Sequence, residues 1–236
     1  MIRSSSLRGP LAVTFIALAL VLAWDACGLD LAAARLFGLP FGFPWRSSRP
    51  LILWMHEVPR FTSWVLVVGL FVAIRWPVWL LRRLDRSERV QLAVTVLASV
   101  LAVSLIKTHS HTSCPWDLQA FGGMARYVSH WQWGVDDGGP GKCFPAGHAS
   151  AAFAWVGGWF VFRRHAPAIA RRWLAVAVLA GLALGLGQQL RGAHYLSHTL
   201  WTGWICWSAG FAIDAMARRW HAMRAPAPLD LNLNRS

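Results

Sequence analysis

In the stretch Arg191-Gly192-Ala193-His194-Tyr195-Leu196-Ser197-His198 two histidines lie four residues apart, so on a helix they share a face. An imidazole held through one ring nitrogen can attack phosphorus through the other. Gly192 and Ala193 keep the approach to His194 open, and Arg191 adds a cation one turn earlier. A second stretch, Cys143-Phe144-Pro145-Ala146-Gly147-His148-Ala149-Ser150, reads as a loop that turns into a helix. Free N–H groups in the first turn of such a helix suit an anion. His148 at that edge could exchange a proton with a leaving oxygen. Lys107, at the end of an apolar run, offers a point charge for a phosphate oxygen. Each piece also has a plainer reading: an interfacial lysine, a helix start, histidines in a watery cavity.

These residues need elements to bring them together, and the composition says what kind. Of 236 residues 56% are hydrophobic and 14% charged, with sixteen Trp and ten acidic residues. A soluble domain carries about 25% charged residues, so the long apolar runs point to a bilayer. The net charge of +13 does not indicate a nucleic-acid partner. The Arg residues sit in short clusters between apolar runs instead of forming a stripe on a polar domain.

Runs of about 17–25 apolar residues can cross the hydrocarbon core as helices. Six are expected: Leu11–Cys27, Thr62–Leu81, Val90–Ile106, His148–Phe162, Trp173–Leu190 and Leu196–Met216. The sequence therefore predicts an all-α integral membrane bundle of six transmembrane helices. A long outer loop joins helices 3 and 4, residues 1–224 form one domain, and residues 225–236 form a disordered cytoplasmic tail. Pro77 is expected to break or kink the end of the second span. Trp24-Asp25-Ala26 makes a poor cleavage site, so the first run is read as a retained span and not a signal peptide. With the N-terminus inside, fifteen Lys and Arg fall on the inner side and eight outside. Both termini then face the cytoplasm, and Lys107, His148, Arg191, His194 and His198 gather at the outer interface. Cys114 and Cys143 share the outer loop and are candidates for a disulfide there.

Together these pieces resemble the type 2 phosphatidic acid phosphatase superfamily, which includes vanadium haloperoxidases and glucose-6-phosphatase-like enzymes. The family shows three motifs: Lys, six residues, then Arg-Pro; Pro-Ser-Gly-His; and Ser-Arg, five residues, His, three residues, Asp. Here the first is Lys107 followed by Cys114-Pro115, and the second is Pro145-Ala146-Gly147-His148. In the third, His194 takes the nucleophile position, Gln188 stands for the Arg and His198 for the Asp. The match runs from Lys107 to His198, somewhat under half the chain.

The resemblance implies two-step phosphoryl transfer. His194 attacks the phosphorus, His198 holds its other nitrogen, and His148 protonates the leaving oxygen and later helps activate water. Lys107, Arg191, Gly147 and Gln188 would bind the phosphate. No metal or other cofactor is expected. Zinc on His148, His194 and His198, with Asp117 or His109 as further ligands, is the competing reading, but neither histidine motif contains a carboxylate to orient a ligand. The expected partner is a phosphorylated lipid of a bacterial-type inner membrane, reached from the periplasmic face. Isoprenyl diphosphate, phosphatidic acid, phosphatidylglycerophosphate and lipid A phosphates all remain open. Transfer of the phosphoryl group to another lipid, or binding without catalysis, are the alternative functions.

Overall fold

The first long helix, α1 (Arg8–Ala26), is apolar on nearly every side, and after Gly28 a short α2 (Leu29–Arg35) follows. The structure is a computed structural model and describes residues 7–224; the tail expected at residues 225–236 lies outside the described residues. A second run opens with α3 (Arg49–Ile52), passes through a π-helical turn at Leu53–Glu57 and continues as α4 (Val58–Arg75). Pro59 has no N–H to offer the Met55 carbonyl four residues earlier, and that carbonyl accepts from the Gln188 side-chain amide at 2.8 Å instead. The helix stops at Arg75, just short of Pro77, as the steric restriction before proline requires.

The next helix, α5 (Arg86–Thr108), starts on a reciprocal cap: Asp85 accepts from the Glu88 amide at 2.8 Å, and the Glu88 carboxylate accepts from the Asp85 amide at 3.0 Å. It is the central helix, with Leu92, Val96, Ser99 and Val103 almost wholly buried. Residues 109–146 are irregular apart from two short 3₁₀ turns. Then come α6 (Gly147–Phe153), a 3₁₀ turn at Ala154–Val156, α7 (Gly157–Phe162), α8 (Pro167–Leu190) and α9 (Leu196–Arg224). There is no strand among the described residues, only two isolated bridges.

The fold is thus all-helical. Among the described residues four helical runs are long and apolar enough to cross a membrane: Arg8–Ala26, Arg49–Arg83, Arg86–Thr108 and Pro167–Leu190. The sequence reading expects six. The expected span at His148–Phe162 is instead divided between α6, a 3₁₀ turn and α7, none of them long alone. The last helix is long, 29 residues, but Ser197, His198, Thr199, Thr202 and Asp214 dilute its hydropathy. All five of these polar residues are buried against protein, where an apolar side chain is not required.

Outward faces tell the same story. Phe15, Leu20, Phe61, Trp64, Val176 and Leu179 are each more than 60% exposed. Apolar surface on that scale matches a lipid environment and not water. Inside, α8 and α9 touch closely at Gly185, where a Cβ would lie 2.2 Å from the Thr199 side chain. At one end of the bundle the fully buried Asp214 carboxylate collects Gln91 (3.1 Å), Arg163 (2.7 Å), Arg218 (2.9 Å) and Arg164. That knot joins α5, the turn after α7, and α9.

Candidate active site

The other end of the bundle holds the histidines. Lys107 lies in the last turn of α5, and the chain then runs out into the 109–146 segment. Cys114 and Cys143 form a disulfide, the pairing the sequence suggested. Beside it the two ends of the segment run together: the Lys142 amide donates to the Ser110 carbonyl at 2.7 Å, and the Cys143 amide to the Thr112 carbonyl at 2.9 Å. Asp137 ties the middle down by accepting from the Ser113 amide and hydroxyl. The segment is therefore a folded cap that delivers Gly147 and His148 next to Lys107.

A methyl group built at Gly147 would meet only the Lys107 stem, at 3.6 Å, so Gly147 leaves room directly over the lysine. The His148 ring stands 6.1 Å from that of His194, centroid to centroid, and the His194 ring 5.9 Å from that of His198. The turn that presents His194 depends on Gly192, whose φ of +73° and contact with Phe43 leave no space for a side chain. His194 is 3% exposed and His198 fully buried, whereas His148 is half-buried. The Nδ1 of His194 faces the Cys143 sulfur at 3.5 Å, which leaves Nε2 as the nitrogen free to react. Burial above all, with Lys107, His198 and His148 adding to it, holds the His194 ring well below its usual pKa and hence neutral.

Three expected site residues serve differently from the sequence reading. His198 gives its Nδ1 to the Cys143 carbonyl at 3.1 Å, and no hydrogen bond joins it to His194 among the described residues. It props the Cys143 backbone rather than gripping the nucleophile directly. Gln188 is buried, with its amide nitrogen on the Met55 carbonyl (2.8 Å) and its oxygen on Arg191 (3.2 Å). The glutamine is a strut for Arg191 more than a free phosphate ligand. Arg191 also reaches the Arg46 carbonyl at 3.3 Å and lies 5.8 Å from the Trp116 ring. His109, named as a further ligand, is exposed and turned to the Leu105 carbonyl at 2.8 Å.

The sequence reading missed two groups. The His56 ring lies 4.3 Å from that of His148, tilted by 41°, and with Arg60 it lines a cavity of about 340 Å³ that also contains Lys107, Gly147 and His148. Behind His198, Asp25 and Asp30 form a polar knot with His130. Asp25 accepts from the indoles of Trp131 (3.0 Å) and Trp201 (2.8 Å), and Asp30 from Trp24 (2.9 Å) and from both the amide and the hydroxyl of Ser197. Asp30 thereby caps the start of α9 from another element, fixing the turn that carries His194. His130 stacks on Phe144 at 4.2 Å and edges His198 at 5.7 Å. Asp25 and Asp30 fall in the first helical hairpin, far in sequence from the histidine motifs, so only their placement at the end of an apolar run hinted at a role.

Among the described residues two groups of side chains bring possible ligand atoms within 4.8 Å of one another: Cys114, Cys143 and His194, and Asp25, Asp30 and His130. The disulfide withdraws the cysteines of the first from any such use. The trio His148, His194 and His198 is not among these groups.

What fold and site define together is a helical, membrane-type bundle with a histidine-walled pocket beside a lysine. Residues 88–222, more than half of the chain, match the family model of the PAP2 superfamily, and the protein belongs to that superfamily. The membership carries phosphatase-type chemistry with it. No curated protein and no solved structure matches the chain.

Proposed function

We propose that the protein is a membrane phosphatase that hydrolyses a phosphate monoester or diphosphate of a lipid through a phosphohistidine. The carrying observation is that His148, which lines the Lys107 cavity next to Gly147, stands 6.1 Å from His194, ring to ring. A phosphorus atom between them lies within reach of both imidazoles. In the first step His194 Nε2 forms the N–P bond as the P–O bond to the lipid breaks, and His148 gives a proton to the departing oxygen. In the second, His148 takes a proton from water, the water oxygen bonds to phosphorus, and the N–P bond breaks to release inorganic phosphate. Lys107 and Arg191 balance charge on the equatorial oxygens, where phosphoryl transfer demands it most.

A larger apolar groove of about 870 Å³ supports a lipid as the substrate. It runs along α4 and α8 from Trp54 and Met55, beside Gln188, to Trp79 and Arg172, and it shares Pro59, Ser63 and Ala151 with the histidine cavity. A hydrocarbon chain laid in it keeps its phosphate at the histidines. Residues 147–162 and α9 complete six spans in this reading. The histidine end then faces the periplasm, the inner membrane is the site of action, and both termini are cytoplasmic, in keeping with the Lys and Arg distribution.

The test is the purified protein in detergent on a panel of phospholipids and polyprenyl diphosphates, with and without EDTA, with acid-labile label on protein as a second readout. Phosphate release that survives chelation, with label lost in His194→Ala, supports the reading. Activity that vanishes with EDTA and returns with zinc overturns it.

A further inference from the structure

We propose that the π turn Leu53–Glu57 and the start of α4, both outside the residues matched by the family model, supply a second wall of the phosphate site through His56 and Arg60. The inference rests on the proposed function for the identity of the anion, but its geometry stands by itself.

The cavity of about 340 Å³ has two sides. Lys107, Gly147 and His148 form one, and His56, Arg60 and Ser63 form the other. His56 and Arg60 are four residues apart, so they project from one face of the helix. The His56 ring lies 4.3 Å from the His148 ring, closer to it than His194 is. Among the described residues no aspartate or glutamate lines the cavity, where four groups able to carry positive charge or donate hydrogen bonds meet. Among the described residues Arg60 has no ion-pair partner. An arginine that merely snorkels toward headgroups does not need to border a pocket containing another cation.

The backbone explains how the pair comes to face inward. Its helix enters through the π turn at Leu53–Glu57, which includes His56. One extra residue in a turn rotates everything before it relative to the helix that follows, and such turns concentrate at functional sites. The turn is pinned from α8, where the Gln188 amide donates to the Met55 carbonyl at 2.8 Å. Through that bond the α8–α9 corner that carries His194 and the helix that carries His56 are held as one unit. A phosphoryl group seated between the walls has Lys107 on one flank and the Arg60 fork on the other, with a bidentate geometry available only from the arginine.

The experiment uses the full chain in detergent and two probes: inorganic phosphate, followed by calorimetry, and phosphatidic acid in mixed micelles, followed by phosphate release. Arg60→Gln is expected to weaken phosphate binding about tenfold, Arg60→Lys to restore part of the loss, and His56→Gln to weaken it about threefold. Arg49→Gln, on the same helical run but away from the cavity, serves as the control and leaves both readouts unchanged. Size-exclusion profile and melting temperature establish that each variant is folded. Wild-type phosphate affinity and turnover in both Arg60→Gln and His56→Gln would overturn the inference while leaving the proposed function intact. A wild-type protein that binds phosphate but hydrolyses no lipid phosphate defeats the function and still tests the wall by binding. Absence of phosphate binding in the wild type defeats both.

Discussion

The two ends of the bundle differ in how their charges are balanced. At Asp214 one carboxylate is surrounded by three arginines and a glutamine amide, and both of its oxygens are engaged. At the histidine end, Nδ1 of His148 and Nε2 of His198 are buried without a hydrogen-bond partner among the described residues. Sixteen residues of α9 separate His198 from Asp214, about 24 Å along the helix axis. Around Asp214 the charges neutralise one another and hold the helices together, even though the Nε atoms of Arg163 and Arg164 are buried without a hydrogen-bond partner among the described residues. A cluster walled by cations and opening to a cavity is arranged to receive something.

The comparison can be broken by exchanging consequences between the ends. His194→Ala should lower phosphate release about 10⁴-fold while leaving the fold standing, the loss expected when a nucleophile is removed. A folded variant that keeps turnover within tenfold of wild type would refute the assignment of the nucleophile. Asp214→Ala should do the reverse. Removing the centre of a buried ion cluster leaves three arginines facing each other, and a loss of about 3–5 kcal/mol is expected in detergent unfolding. Turnover per folded molecule should stay within about twofold, and a selective loss of turnover at full stability would show that this end takes part in the chemistry. Lys107→Met should reduce kcat about 10²-fold, consistent with loss of one charge on the equatorial oxygens, and shift the melting temperature little. An unchanged kcat would place the phosphate away from α5.

Acid sharpens the contrast most gently. Burial lowers the pKa of His194, and burial, against the pull of Asp25 and Asp30, also lowers that of His130. Their ordinary value is 6.5, so below it the unfolded chain binds protons that the fold excludes. The stability these neutral rings allow is complete above pH 6.5 and declines as pH falls toward their lowered values. The melting temperature should therefore drop between pH 7 and pH 5, and His130→Gln should flatten part of that slope. A flat profile in the wild type would show that neither ring is kept neutral by the fold.

Much of this architecture is legible in the residues. Apolar runs with basic clusters between them mark where α1, α4, α5 and α8 lie, because length and hydropathy are local properties. The spacing of His194 and His198 and the Gly147-His148 pair mark the site for the same reason. Partnership is not local. Gln188 reads as a phosphate ligand in the sequence, but only tertiary placement reveals that Met55 and Arg191 take both ends of its amide. His198 reads as the orienting partner of His194, yet its Nδ1 goes to a carbonyl 55 residues away. His56 sits in an ordinary-looking segment before an apolar run, and only the π turn, which no periodicity signals, aims it at His148. Asp214 looks like an isolated acid in a span until the adjacent Arg163 and Arg164, and Arg218 one turn along α9, converge on it.

Cys143 touches the catalytic group twice, with its sulfur near the His194 ring and its carbonyl on His198. In the proposed reading, the bridge to Cys114 ties the shape of the histidine site to a compartment where thiols can be oxidised. Cytosolic thiols are kept reduced, so the cap matures only where oxidising machinery can reach it. A copy inserted upside down, or made in cells deprived of extracytoplasmic thiol oxidation, would carry intact helices under an unlatched roof. If the proposed function and orientation hold, insertion errors would yield silent protein.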